Sequence, residues 1–275
     1  MVNIGEPTRP MKLPEVSPDP TWARIREHDV EELWDHSISP HVAASYRARM
    51  QLLCDLVSQF AGPSGRVLDV GCAQGTLGLM LAEQGMRVDL LDVRSENIAY
   101  AQARHERGSV DFHVGLLSEQ CPPAFEFDVV VCTEVIEHVP APSEIIGQLK
   151  RKLRPGGMLC MTTPNGEYLL SGLPTYAGVA QNTIDTAEPN SLDGDAHRYL
   201  FTRDQLVSLL RGAGLRIDRH GFFLPAWLEG HLKTRHVHRL HYSLRKQLLQ
   251  LPPVLPGPLG RWLCTSQYIV ATLPP

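Results

Sequence analysis

Residues 66–78, RVLDVGCAQGTLG, constrain this chain more than any other stretch. Arg66 to Val70 read as a short aliphatic strand. Gly71 to Gly75 form a turn tight enough for backbone to approach a ligand closely, and a helix starts at Thr76. The next apolar run, RVDLLDV, carries Asp92, 23 positions after Asp69. A strand, a glycine-rich turn, a helix N-terminus and a carboxylate at the tip of the following strand together grip a ribose by its hydroxyls. The turn reads G-C-A-Q-G instead of GxGxxG, which argues against a nicotinamide dinucleotide.

Around this unit, strands are expected at 66–70, 87–92, 110–114, 128–132 and 157–162, with helices at 76–84, 95–107 and 143–153. A helix at 203–213 and strands at 214–220 and 267–273 complete the pattern. Such alternation implies a seven-stranded α/β sheet, mostly parallel, with helices on both faces. Residues 1–20 hold five prolines (Pro7, Pro10, Pro14, Pro18 and Pro20) and no apolar period, so they read as a loose tail. Residues 21–62 read as a helical cover. Its best element, SYRARMQLLCDLVSQF, sets Met50, Leu53, Leu56, Val57 and Phe60 on one face and stops at Gly62 and Pro63. The main domain is then 63–275, interrupted by insertions at 165–200 and 224–265. The first follows a strand's carboxyl end, where open α/β sheets bind ligands, and is the expected acceptor lid.

The chain has 275 residues, 43% of them hydrophobic, and a net charge of −4, which gives no overall attraction to nucleic acid. With no run of 18 apolar residues and no charged-then-apolar leader, neither a membrane span nor a signal peptide is expected, and the expected location is cytoplasmic. Six cysteines (Cys54, Cys72, Cys121, Cys132, Cys160, Cys264) show no CxxC pair and read as reduced thiols.

Two further segments, FDVVVCTEVIEHV (127–139) and LRPGGMLCMTTPN (153–165), follow in order. With the first two motifs they resemble the class I S-adenosylmethionine-dependent methyltransferases over residues 45–220. The resemblance implies a Rossmann-like sheet and S-adenosylmethionine as cofactor. It assigns the cofactor turn to Gly71, Cys72, Ala73 and Gly75, the orientation of that turn to Asp69, and the ribose to Asp92. Val93, Leu116, Leu117 and Thr133 complete the implied cofactor contacts. Two departures stand out: Ala73 replaces the middle glycine of the usual GxGxG, and Leu116 and Leu117 occupy the place of an acidic adenine cap. Helices at the position of the 21–62 cover lie over the cofactor in that family, so Trp34, His41, Tyr46 and Arg47 are candidate pocket residues, with a core role as the alternative.

In TEVIEHV, Glu134, Glu137 and His138 are spaced i, i+3, i+4, which on a helical turn sets two carboxylates and an imidazole on one face. EVIEHV before the PGG turn is similar to the ubiquinone-biosynthesis O-methyltransferases. The set EVIEH, TPNGEY (163–168) and HRYLFTR (197–203) is also similar to the small-RNA 3′-terminal 2′-O-methyltransferases. The second resemblance implies a metal held by Glu134, Glu137, His138 and His197, and such a mixed oxygen and nitrogen set suits magnesium, manganese or zinc. A metal-free reading, with His138 as general base and these four as the catalytic residues, stays open beside it. The expected activity is methyl transfer to a hydroxyl of a small molecule, glycan or lipid-linked precursor. RNA 2′-O-methylation and a non-catalytic cofactor-binding scaffold are the alternatives. The 224–265 insertion carries His231, His236, His238 and His241 among basic residues, which suits a solvated helix face, an anionic membrane surface, a phosphorylated acceptor or RNA phosphates. Oligomeric state is left open.

Overall fold

The computed structural model describes residues 11–117, 127–178, 197–228, 254–255 and 257–275. Among them, eight strands form one sheet: β1 Arg66–Val70, β2 Arg87–Asp92, β3 Ser109–Val114, β4 Phe127–Thr133, β5 Leu153–Pro164, β6 Arg216–Pro225, β7 Val254–Leu255 and β8 Cys264–Thr272. Their order across the sheet is β3-β2-β1-β4-β5-β8-β6-β7. β1 to β5 run parallel, and β8 inserts antiparallel between β5 and β6. The expected seven strands are present, and β7 adds an eighth of two residues at the edge, inside what reads in sequence as the second insertion. β6 starts later than expected because Gly214, at φ +81°, closes the preceding helix before the chain enters the sheet.

The order reverses at β1, which pairs with β2 on one side and β4 on the other. That reversal opens a crevice at the carboxyl ends of the strands. Alternate residues of the central strands go to opposite faces, and both faces are apolar, as a covered parallel sheet requires. Val129 and Val131 pack with α2 (Pro40–Ala61), α3 (Thr76–Glu83) and α4 (Ser95–Arg104), through Leu53, Val57, Leu81 and Ile98. Val130 and Cys132 pack with α5 (Pro142–Lys152) and α6 (Arg203–Gly212), through Ile146, Leu149, Leu206 and Leu210. Burying one such aliphatic side chain stabilises by about 1.5–3 kcal/mol. Helix α6 opens on a capping box, in which the Thr202 hydroxyl accepts from Gln205 N and the Gln205 side chain accepts from Thr202 N.

The N-terminal cover is α1 (Pro20–Asp29), which runs into one wide turn at Val30–Trp34, and then α2. The chain breaks at 35–39, so two helices replace one continuous pattern. Residues 11–19, expected as part of a loose tail, lie on the domain. Met11 is buried, Lys12 N donates to Arg104 O, and Arg26 Nε donates to Pro14 O. A short helix, α7 (Gly257–Leu263), precedes β8. No helix among the described residues is long and apolar enough to cross a membrane.

Candidate active site

The turn after β1 is built from backbone conformations that side chains resist. Gly71, Ala73 and Gly75 have φ of +71°, +47° and +77°. A Cβ on Gly71 would stand 2.4 Å from Val135 Cγ2, and one on Gly75 would stand 2.8 Å from Ala101 Cβ. Ala73 carries its methyl in the left-handed region, at a strain cost of about 1 kcal/mol. Gly71 N and Cys72 N both donate to Leu91 O, which fastens the turn to the end of β2. Asp92 closes the arrangement, taking Ala73 N at 2.9 Å on one oxygen, and Arg94 N at 2.9 Å and Asn97 Nδ2 at 3.2 Å on the other. A carboxylate oxygen can accept two hydrogen bonds, so these three donors leave acceptor capacity on the oxygen that takes Ala73 N.

Beneath the turn, Asp69 is 2% exposed, and burial, with the nearby Asp92 charge, pushes its carboxyl up to about 7. Cys72 is buried. Val93 is 61% exposed and Leu116 54%, leaving apolar surface at the tips of β2 and β3. Leu117 is buried in the core cluster with Leu68 and Val70. Thr133 is the last residue of β4. The turn's positive-φ residues, the helix N-terminus at Thr76 and the Asp92 carboxylate fit a nucleoside cofactor.

The cover reaches the turn through a buried polar network that the sequence does not announce. Asp29 and Arg104, both fully buried, form a 2.9 Å ion pair. Arg104 also donates to Gln74 O and to the Thr76 hydroxyl, while Tyr100 and Trp34 donate to Asp29. Gln74 donates through Nε2 to Glu32 at 2.6 Å and to the Tyr46 hydroxyl at 3.4 Å. Burial, then the neighbouring Asp29, pushes the Glu32 carboxyl up to about 7. Of the expected cover residues, Tyr46 meets the turn and Trp34 serves Asp29.

At the end of β4 the expected four-residue set divides. Glu134 has φ +52°, the chain turns sharply, and the helical face assumed from the spacing does not form. Its carboxylate accepts from the Thr162 hydroxyl and lies 3.9 Å from Arg49 of α2. Glu137, His138 and His197 do converge, with one potential ligand atom from each inside 4.8 Å of the others. The two imidazole rings meet edge to face, 5.1 Å apart. Glu137 is fully buried; one oxygen accepts from Thr163, and Oε1 has no hydrogen-bond partner, lying 4.0 Å from His138 Nε2. Burial, reinforced by Glu134, pushes the Glu137 carboxyl well above the usual range. An orphaned buried oxygen facing two imidazoles fits a divalent ion, with three protein ligands in place of four.

His197 reaches this point because its neighbours are pinned. Arg198 N donates to Glu137 O, Arg198 Nε to His138 O, and the Tyr199 hydroxyl to Val139 O. Tyr199 and Phe201 are fully buried, so HRYLF works as an apolar plug that carries a histidine. Most of the expected lid and the histidine-rich part of the second insertion, His231, His236, His238 and His241 included, fall outside the described residues. The described cysteines (Cys54, Cys72, Cys132, Cys160 and Cys264) are all buried.

Comparison with known proteins agrees with this geometry. A family model described as a methyltransferase domain matches residues 45–220. The ubiquinone biosynthesis O-methyltransferase of Xylella fastidiosa is 41% identical over 173 residues, covering 60% of this chain and 66% of that protein. That of Xanthomonas axonopodis pv. citri is 35% identical over 182 residues, covering 63% of this chain and 72% of its own length. The chain thus spans just under two-thirds of the Xylella relative. Among solved structures, an S-adenosylmethionine-dependent methyltransferase from Mesorhizobium loti superposes with a TM-score of 0.54 at 17% identity, over 82% of this chain and 97% of that one. Magnesium protoporphyrin IX methyltransferase from Synechocystis PCC 6803, solved with bound SAH, gives 0.56 at 15% identity, over 90% and 92%. Motifs, strand order and family match lead to one assignment: the chain belongs to the methyltransferase-domain family and has the class I, Rossmann-like fold.

Proposed function

We propose that this protein transfers a methyl group from S-adenosylmethionine to a hydroxyl of a small-molecule acceptor. The observation that carries the reading is the register of two neighbouring strands. Val70 pairs with Cys132, so the cofactor turn after β1 and the Glu137–His138–His197 cluster after β4 open onto the same end of the sheet. Donor and acceptor bound at these two places would lie close together, and orientation alone supplies about 7–11 kcal/mol in favourable intramolecular cases. The named function of the relatives, ubiquinone biosynthesis O-methylation, supports a hydroxyl acceptor of that chemical kind.

The donor sulfonium supplies the methyl group, so the protein's own tasks are to orient the partners and manage one proton. Asp92 and the Gly71–Gly75 turn hold the nucleoside. His138, part-exposed beside the buried Glu137, takes the proton of the acceptor hydroxyl as the oxygen–carbon bond forms and the sulfur–carbon bond breaks. In the alternative to this metal-free route, Glu137, His138 and His197 would hold a divalent ion, which when bound would acidify the hydroxyl in place of the histidine base. Glu134 positions the strand end through Thr162 and Arg49.

The test is calorimetric titration with S-adenosylmethionine, with and without magnesium, manganese or zinc after chelator treatment, for the unaltered chain and for His138→Ala. Donor binding retained in the variant with methyl transfer to catechol-type acceptors lost is the expected result. A chain that does not bind the donor would overturn the reading.

A further inference from the structure

We infer that Glu32 receives the α-ammonium group of the methyl donor's amino-acid tail, as a carboxylate that the N-terminal cover lays on the glycine-rich turn. The inference rests on the methyl-donor reading and adds to it a contact that none of the sequence motifs contains. The turn itself sets the direction. Ala73 N is bonded to Asp92, which marks the ribose end; the next residue, Gln74, donates to Glu32 of the cover at 2.6 Å. A nucleoside whose ribose sits at Asp92 therefore sends its 5′ substituent along the turn toward the cover.

Charge complementarity points the same way. Asp29 and Arg104 neutralise one another in a fully buried 2.9 Å pair, and Arg104 is further occupied by Gln74 O and Thr76. Glu32 then adds a second carboxylate beside that neutral pair, with the Gln74 amide and the Tyr46 hydroxyl around it. Burial and Asp29 both oppose its ionisation, and Arg49, which also faces Glu134, favours it. A carboxylate kept in such a place costs stability unless a cation joins it, and an ammonium group supplies one. Arg49, between Glu32 and Glu134, continues the lining from the turn to the end of β4. The sulfonium then lies on the way from the ammonium to the acceptor cluster.

The experiment compares ligands as well as variants. S-adenosylhomocysteine carries the amino-acid tail, its decarboxylated form keeps the ammonium alone, and 5′-methylthioadenosine has neither. Glu32→Gln preserves the shape and the bond with Gln74 but removes the charge. Affinity for S-adenosylhomocysteine and for its decarboxylated form is expected to fall about 10- to 100-fold, with 5′-methylthioadenosine unchanged and the unfolding temperature of the unliganded protein maintained. Equal losses for all three ligands, or no loss for any, would overturn the assignment. Should the variant fail to fold, the unaltered chain decides: the decarboxylated ligand must bind more tightly than 5′-methylthioadenosine, and equal affinities would sink the proposal. Binding of 5′-methylthioadenosine with indifference to the tail defeats Glu32 alone, whereas no binding of any of the three defeats the methyl-donor reading as well.

Discussion

The ends of β1 and β4 lie side by side in one sheet, yet the two are finished in opposite ways. After β1, the chain meets most of its own needs: Leu91 O takes two amides of the turn, Asp92 takes three donors, and the nearby Asp29 and Arg104 neutralise each other, while Asp69 Oδ1 stays without a hydrogen-bond partner and Glu32 is left for the ammonium proposed above. After β4, needs are left open: Glu137 is fully buried with one oxygen unpartnered, and two imidazoles face it. A site for an unchanging cofactor can be built largely from rigid backbone, with most of its groups satisfied in advance. The end of β4, which we propose handles an acceptor's proton, keeps groups whose partners would arrive with the substrate or an ion.

The strongest challenge to that contrast is to unbalance the satisfied side. Asp29→Asn leaves the Arg104 guanidinium buried without its counter-charge, and breaking a buried pair from one side costs about 3–5 kcal/mol. Urea unfolding of the variant is expected to show that loss together with weaker donor binding, since Arg104 also holds Gln74 O. Unchanged stability would mean that the cover contributes nothing to the rigidity of the cofactor end. On the unsatisfied side the expected pattern is reversed. Glu137→Gln keeps the hydrogen-bonding shape toward Thr163 and removes the carboxylate, so the methyl-transfer rate is expected to drop about 100-fold with donor affinity retained. Parallel rate and titration measurements check this; a loss confined to donor affinity would erase the distinction between the two ends.

The same contrast explains how much the sequence revealed. The cofactor end is local: strand, turn, helix and carboxylate fall within 27 residues, 66 to 92, and each carries a conformational signature in glycine or in apolar period. The sheet was equally legible, because a parallel strand buried on both faces needs a continuous aliphatic run. The acceptor end depends on bonds that spacing does not encode. Glu134, three residues before Glu137, looked like a member of the cluster, but its left-handed backbone turns the carboxylate toward Thr162 and Arg49. His197, some 60 residues on, is brought to it by the bonds of Arg198 and Tyr199. The Asp29–Arg104–Gln74–Glu32 network links helices α1 and α4, the wide turn after α1 and the glycine-rich turn, and no periodicity reports such a contact. A charged residue on the apolar side of a helix, as Arg104 is on α4, was the one available hint.

A pH series sharpens the comparison from below the turn. Asp69 titrates at about 7 in the folded protein, above its ordinary 3.8, because burial disfavours the charged form. The unfolded chain gives up this proton first. Between pH about 4 and 7 the unfolded state therefore binds fewer protons than the native state, and stability falls as pH rises, by at most about 1.4 kcal/mol per pH unit from this group. Glu32, also raised to about 7, acts in the same window with the same sign. Asp69→Asn is expected to flatten the slope of unfolding free energy across that window. An unaltered slope would show that Asp69 is charged and paired in the native protein, placing it with the satisfied groups around Asp92.

The smallest expected effect concerns the adenine. Leu116 is half-exposed beside the exposed Val93, because Gly115 N bonds to Asp92 O and brings the tips of β2 and β3 together. Exposed apolar side chains contribute little to folding, so Leu116→Ser should leave thermal stability unchanged. If the base lies against Leu116, removing most of that contact should weaken S-adenosylhomocysteine by about 1 kcal/mol, roughly fivefold. Leu116→Asp separates two accounts of the same slot. A carboxylate there can accept from the exocyclic amine of adenine, so this variant should recover part or all of the affinity that serine loses. Recovery would mean that the slot has adenine geometry and that this chain holds the base by apolar contact where a carboxylate would also serve. If both variants bind like the unaltered protein, the base lies elsewhere, and the cofactor end is satisfied through Asp92 and the turn alone.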